Sequence, residues 1–403
     1  MLMLPTADGT LAPFAPTGEP IAARAPEHAP VRVAFAAAHV VSDPLAERDP
    51  RGGRPAIDWE ATLAVRRRLW DRGLGLAEAM DTAQRGMGLD WPTARELIER
   101  TLREAACHAL RPRVACGAGT DHVDPASLGS VGAIVEAWSH QLGAIESAGG
   151  QGIVMATRAL PAMGARAEDY ARAYDELIGR AERPVILHWL GEAFDPALAG
   201  YWGSTDVGEA TDTVLSIIEA HAERIDGIKV SLLEARHEIA LRARLPAGVR
   251  LYTGDDFHYP ELIRGDGTHH SDALLGIFAA IAPAASRALD ALAGGDPDAY
   301  DALMAPTVPL AREVFRAPTR YYKAGIAFLS WLDGAQSHFV MPDGLQSARS
   351  IVHYAEVLRL ADAARVLADP ELACERMGQL LRIHGVDPRV RRPPPASATG
   401  ARA

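Results

Sequence analysis

IDGIKVSLLEARHEIALRARLPAGVRLYTGDD, residues 225–256, reads as one complete strand–helix–strand unit. IDGIKVSL (225–232) and VRLYTGDD (249–256) are apolar runs of strand length, with a helical stretch between them. Strands buried on both faces of a parallel sheet require such nearly continuous apolar runs. Working outward, the unit repeats. Before it lie VRVAFAAAH (31–39), LGLAEAM (74–80), RVACGAGTD (113–121), GIVMATRAL (152–160) and RPVILHWL (183–190), and after it lies LLGIFAAIA (274–282). The runs recur about every 25–45 residues, separated by amphipathic patterns such as ARAEDYARAYDELIGRA (165–181). Asp58 is placed to cap the helix that precedes the second run. Eight strand–helix alternations imply a closed parallel (β/α)8 TIM barrel. A doubly wound open sheet usually carries a glycine-rich turn after its first strand, and HVVSDPLAERDPRGG (39–53) supplies none.

A barrel takes roughly 250 residues, so this chain of 403 has room for additions. The pattern predicts an extended N-terminal arm at 1–30, the barrel at 31–285, a C-terminal helical segment at 286–385 and a disordered tail at 386–403. Hydrophobic residues make up 48%, enough for a large core. The net charge is −11 with no basic stripe, which argues against nucleic acid or an anionic membrane surface as the main partner. No run approaches the roughly 18 apolar residues of a membrane span. The start MLMLPTADGTLAPFAP lacks the basic and apolar regions of a secretory signal. Cys107, Cys116 and Cys374 form no CxxC, so neither a disulfide framework nor a structural zinc site is expected. A cytoplasmic location is the expectation.

Lysine usage is more informative. Of 41 basic residues, only Lys229 and Lys323 are lysines. Arginine stays charged and cannot replace an amine as a nucleophile. Lys229 lies inside an apolar strand run, where alternation can point it into the barrel. Desolvation lowers the pKa of a buried lysine, and a neutral amine can form an imine with a carbonyl. The alternative is a structural lysine paired with an acid such as Asp255. His188, one strand away in VILHWL, is a candidate proton shuttle, or else a core histidine bonded to backbone. Thr82 after the second run could donate or relay a proton.

Catalysis in such barrels sits at the C-terminal ends of the strands. There Asp121, His122, Arg158, Asp255 and His258 are the candidate substrate contacts, suited to a hydroxylated keto acid or keto sugar. A metal reading would draw on His39, Glu78, His188 and His258, though no HxH or HExxH motif supports it. No P-loop, flavin fingerprint or nucleophile elbow is present.

From about residue 113 to 315 the sequence resembles the dihydrodipicolinate synthase and N-acetylneuraminate lyase superfamily. DGIKVS resembles its lysine strand, LYTGDD its S-G-D-D strand and RPVILHWL its P-V-I-L-Y-N-V strand. GIFAAIAP and DPDAYDALMAPTVPLAREVF resemble the stretches that follow. The resemblance implies a lysine-dependent, class I carbon–carbon lyase or aldolase. Its substrate would be a small carbonyl compound, with no cofactor beyond the imine on Lys229, and the protein a homo-oligomer (dimer or tetramer). The departures are specific. His188 stands where the family has its proton-relaying tyrosine. Thr82 and Ala83 stand at its threonine pair, and DTAQR replaces its G-T-T-G-E. Ala193 lies near its acid-recognising arginine, and its strand-four Pro-Pro-Tyr-Tyr is absent. Two other readings stay open: a metal-dependent sugar isomerase or epimerase, and a non-catalytic sugar-binding barrel.

Overall fold

The computed structural model describes residues 2–22, 24–47, 54–80, 84–387 and 389. Two short strands, β1 (Leu2–Pro5) and β2 (Leu11–Phe14), pair antiparallel. Eight more follow: β3 (Ala34–Ala36), β4 (Gly75–Glu78), β5 (Val114–Ala118), β6 (Gln151–Val154), β7 (Val185–Leu190), β8 (Ile225–Ser231), β9 (Arg250–Thr253) and β10 (Asp272–Leu275). These eight close into an all-parallel barrel, with β10 pairing back onto β3. The expected (β/α)8 architecture is what the chain adopts. Asp58 caps the helix Trp59–Trp70 through the Ala61 N–H, as its position suggested.

Period-two alternation decides what fills the barrel. Phe35, Ala77, Ala115, Ile153, Ile186, Tyr252 and Leu274 form an interior cluster, while their neighbours Ile228, Val230 and Leu251 pack outward. Glycine makes room where the interior is crowded. A Cβ on Gly227 would meet the Tyr252 ring at 2.7 Å, so the tyrosine can cross the barrel only because residue 227 has none.

The eighth strand is shorter than LLGIFAAIA suggests. The ladder ends at Leu275, Ile277–Ala279 form a single turn, and a helix starts at Ala282. The apolar run continues because the turn and the helix start are buried too. Among the described residues six α-helices follow the barrel strands: Ala282–Ala293, Pro297–Met304, Thr307–Val314, Tyr322–Leu332, Ile351–Ala363 and Pro370–Ile383. The N-terminal arm contains a hairpin that the sequence did not reveal, and the arm is bonded to these helices. Arg359 donates to the carbonyls of Leu4 and Pro5, and Asp362 accepts from the N–H groups of Thr17 and Gly18. The tail expected to be disordered lies outside the described residues apart from Val386, Asp387 and Arg389. No helix among the described residues is long and apolar enough to cross a membrane.

Candidate active site

Ile228 and Val230 face the surrounding helices, so alternation turns Lys229 into the barrel. The ladder sets His188 opposite Lys229, Leu190 opposite Ser231 and Tyr252 opposite Lys229 on the other side. His188, Lys229 and Ser231 line one cavity at the C-terminal end of the strands, together with Met80 and Asp256. Lys229 is 8% exposed, with Nζ 3.7 Å from the Met80 sulfur. Gly254 lets the lysine stem pass: a Cβ there would stand 2.8 Å from Lys229 Cε and 2.1 Å from Ser231 Oγ.

His188 is buried. Its Nε2 lies 3.5 Å from Ser231 Oγ, and its Nδ1 has no hydrogen-bond partner among the described residues. Burial, and then the charge of Lys229, hold its pKa well below the usual histidine range, so the ring is neutral at pH 7. The chemistry available is an amine, an unprotonated imidazole, a hydroxyl and a carboxylate in one dry space. That space is small, about 10 Å³, room for about one water. Three aromatic rings close it. Phe315 and Tyr322 stack at 4.2 Å, and Phe194 stands 6.5 Å from each, edge-on. Gly276 seats them, since a Cβ there would be 2.7 Å from the Tyr322 ring and 2.8 Å from that of Phe315.

The remaining predicted residues fall in different places. Thr82 lies outside the described residues. Asp121 and Arg158 line a second cavity of about 130 Å³ at the same end of the barrel. Met80 of the first cavity and Met155 of the second flank Gly117, where a Cβ would clash with both residues. Asp121 is committed to Arg85, which also donates to Gln141 and to the carbonyls of Ala79 and Gly117. Burial pushes the Asp121 carboxyl up, but the Arg85 charge and hydrogen bonds prevail and hold it below its ordinary range. Arg158 pairs with Asp195 at 2.6 Å. His122 lines neither cavity; it stacks on His140 at 5.0 Å and bonds Gln141.

Asp255 and His258 line neither cavity as well. Asp255 accepts from the N–H groups of Phe257 and His258 and pairs with the His258 ring at 2.8 Å, so it shapes its own turn. The inward acid is Asp256: Tyr252 faces in, hence Gly254, hence residue 256. The strand's parity, followed from Lys229, could have found both Asp256 and Ser231.

The four residues of the metal reading are not brought together. Glu78 forms a buried two-pronged pair with Arg66 at 2.8 and 2.9 Å and accepts from Thr101. His39 bonds Gln336 at 2.6 Å, and burial holds its pKa down to about 3, with Lys323 and Arg66 acting the same way. Among the described residues no three His, Cys, Asp or Glu side chains group as a metal site would need. Lys323, which the sequence left unassigned, is buried and donates to the Ala37 carbonyl at the end of β3. Both lysines of the chain therefore serve the C-terminal end of the barrel.

A closed (β/α)8 barrel with added C-terminal helices is the fold that this chain shares with solved dihydrodipicolinate synthase structures. It matches the dihydrodipicolinate synthase of Oceanobacillus iheyensis with a TM-score of 0.59 at 14% identity, covering 82% of this chain and 95% of that one. The enzyme of Bacillus clausii gives 0.59 at 14%, covering 81% and 96%. That of Aquifex aeolicus gives 0.56 at 13%, covering 89% and 100%. By sequence, the chain belongs to the family described as "Protein of unknown function (DUF993)", whose model matches residues 2–386. No curated protein sequence matches it.

Proposed function

We propose that this barrel is a lyase or aldolase that holds a carbonyl substrate as an imine on Lys229. The observation that carries the reading is the pairing of His188 with Lys229 across β7 and β8 inside one dry cavity. The Lys229 amine adds to the substrate carbonyl carbon, and loss of water leaves an iminium. The bond between the α and β carbons breaks, its electron pair passing into the iminium to give an enamine while the β-hydroxyl carbon leaves as a carbonyl. His188, unprotonated at neutral pH, takes the proton from the substrate hydroxyl and returns it to the enamine carbon; water then adds to the resulting iminium carbon, releasing the second product and the free Lys229 amine.

Asp256 beside the lysine suits a hydroxyl-bearing carbonyl compound better than a bare carboxylate at that position. The neighbouring cavity, with Arg158 on its wall, suits the anionic or polar far end of such a molecule. A keto sugar meets both conditions; a hydroxylated 2-oxo acid, whose carboxylate is bonded to the carbonyl carbon itself, meets the second through its hydroxylated far end. Admission requires the Phe315–Tyr322 pair to move, because the closed cavity has room only for about one water. The test is cleavage of a panel of hydroxylated 2-oxo acids and keto sugars. Lys229→Arg, which keeps the charge and removes the amine, should lower turnover by about 10³-fold or more. Full turnover in that variant would end the proposal.

A further inference from the structure

The opposite mouth of the barrel holds a far larger cavity, about 570 Å³. Ala34, Gly75, Arg113, Arg250 and Asp272 line it, each at or next to the start of a barrel strand, so it opens at the N-terminal end. Its walls are cationic in a chain of net charge −11. Arg32, Arg111, Arg113 and Arg250 face one acid, Asp272.

These arginines are not equivalent. Arg32 is spent on the carbonyls of Val31, Ile263 and Arg264. Arg250 pairs with Asp226 at 2.8 Å and Asp272 at 3.2 Å. The guanidinium groups of Arg111 and Arg113 make no hydrogen bond or ion pair among the described residues. Burial, with the charges of Arg32 and Arg242, lowers the pKa of His270 on the same wall to about 4.

A second observation is independent of charge. Trp70 lines the cavity, is fully buried, and its indole N–H has no acceptor among the described residues. Leu74 adds apolar floor, and Val31 and Leu110 leave apolar edges 45% and 54% exposed. The volume falls in the range of small-molecule sites, roughly 300–1,000 Å³.

We propose that this N-terminal cavity binds an organic anion, its carboxylate or phosphate held by Arg111 and Arg113 and its apolar body lying against the exposed side chains of Val31 and Leu110. Planar guanidinium forks suit either headgroup. The site is separate from the one at Lys229. Tyr252, fully buried with its ring over Gly227 and its hydroxyl donating to Asp226, stands between them.

The test is calorimetric titration of the full chain with phenyl phosphate, benzoate and, as the neutral control, phenol. At least one anion should bind more tightly than phenol, and the tighter of the two names the headgroup. The Arg111→Ala/Arg113→Ala double variant, both positions being exposed, should fold normally and bind that anion roughly tenfold or more weakly. Lys229→Arg should bind it as the wild type does, which separates this site from the one proposed for catalysis. No heat from either anion at millimolar concentration overturns the proposal. So does phenol binding as well as the anions, or unchanged anion binding in the double variant.

Discussion

The two mouths of this barrel are built on opposite plans. The C-terminal mouth is nearly closed, roofed by three aromatic rings, and carries an amine and an imidazole. The N-terminal mouth is open, many times larger, and carries guanidinium groups. One strand serves both: β9 contributes Arg250 at its start, while Gly254 and Asp256 follow its end. On the reading proposed above, the chemistry sits in the smaller of the two cavities. A reactive amine needs desolvation and a close partner, which small volume supplies; an anion needs fixed charge and space.

The comparison can be broken at either end. The largest stability effect should come from the framework of the closed mouth. Glu78→Ala would strand Arg66, which is wholly buried, and should cost about 3–5 kcal/mol in denaturant unfolding. A loss near zero would mean that the pair does not hold this end together. Gly276→Ala inserts a methyl group against Tyr322 and Phe315. It should cost about 1–3 kcal/mol and loosen the roof, seen as faster hydrogen exchange in the segment carrying both rings.

The closed mouth should also make stability depend on pH. The pKa values of His39 and His188 are lowered in the folded protein, against about 6.5 when unfolded. Below pH 6.5 the unfolded chain takes up protons that the folded protein refuses, so stability present above 6.5 is lost as pH falls. For His39 the window runs down to about 3. Replacing His39 by Gln should flatten the pH slope of unfolding free energy by about 1.4 kcal/mol per pH unit within that window. An unchanged slope would show that His39 titrates normally. At the open mouth, Arg111→Ala and Arg113→Ala should each shift stability by no more than about 0.5 kcal/mol. A larger loss would make them structural.

The barrel was legible because burial on both faces writes each strand as an apolar run, eight times over. Lys229 stood out because arginine occupies nearly every other basic position. His188 followed from its place one strand away. The parts that were not legible depend on contacts between distant segments. Phe194, Phe315 and Tyr322 meet only after the C-terminal helices fold back over the barrel. Arg85 reaches Asp121 across 36 positions, which turns an expected substrate contact into one half of a clamp. The turn after β9 hides the alternation, so the sequence does not show that Asp255 bonds within its own turn while Asp256 lines the cavity. The basic mouth did leave a trace: Arg32, Arg113 and Arg250 each sit in the first two positions of an apolar run.

The central claim rests on one amine, and the chain has only two lysines in which to look for it. Borohydride reduction in the presence of hydroxylated 2-oxo acids and keto sugars, read by intact and peptide mass, tests it directly. The account predicts one stable adduct, on the peptide carrying Lys229 and absent from Lys229→Arg. An adduct on Lys323 instead, or none with any candidate, would contradict it.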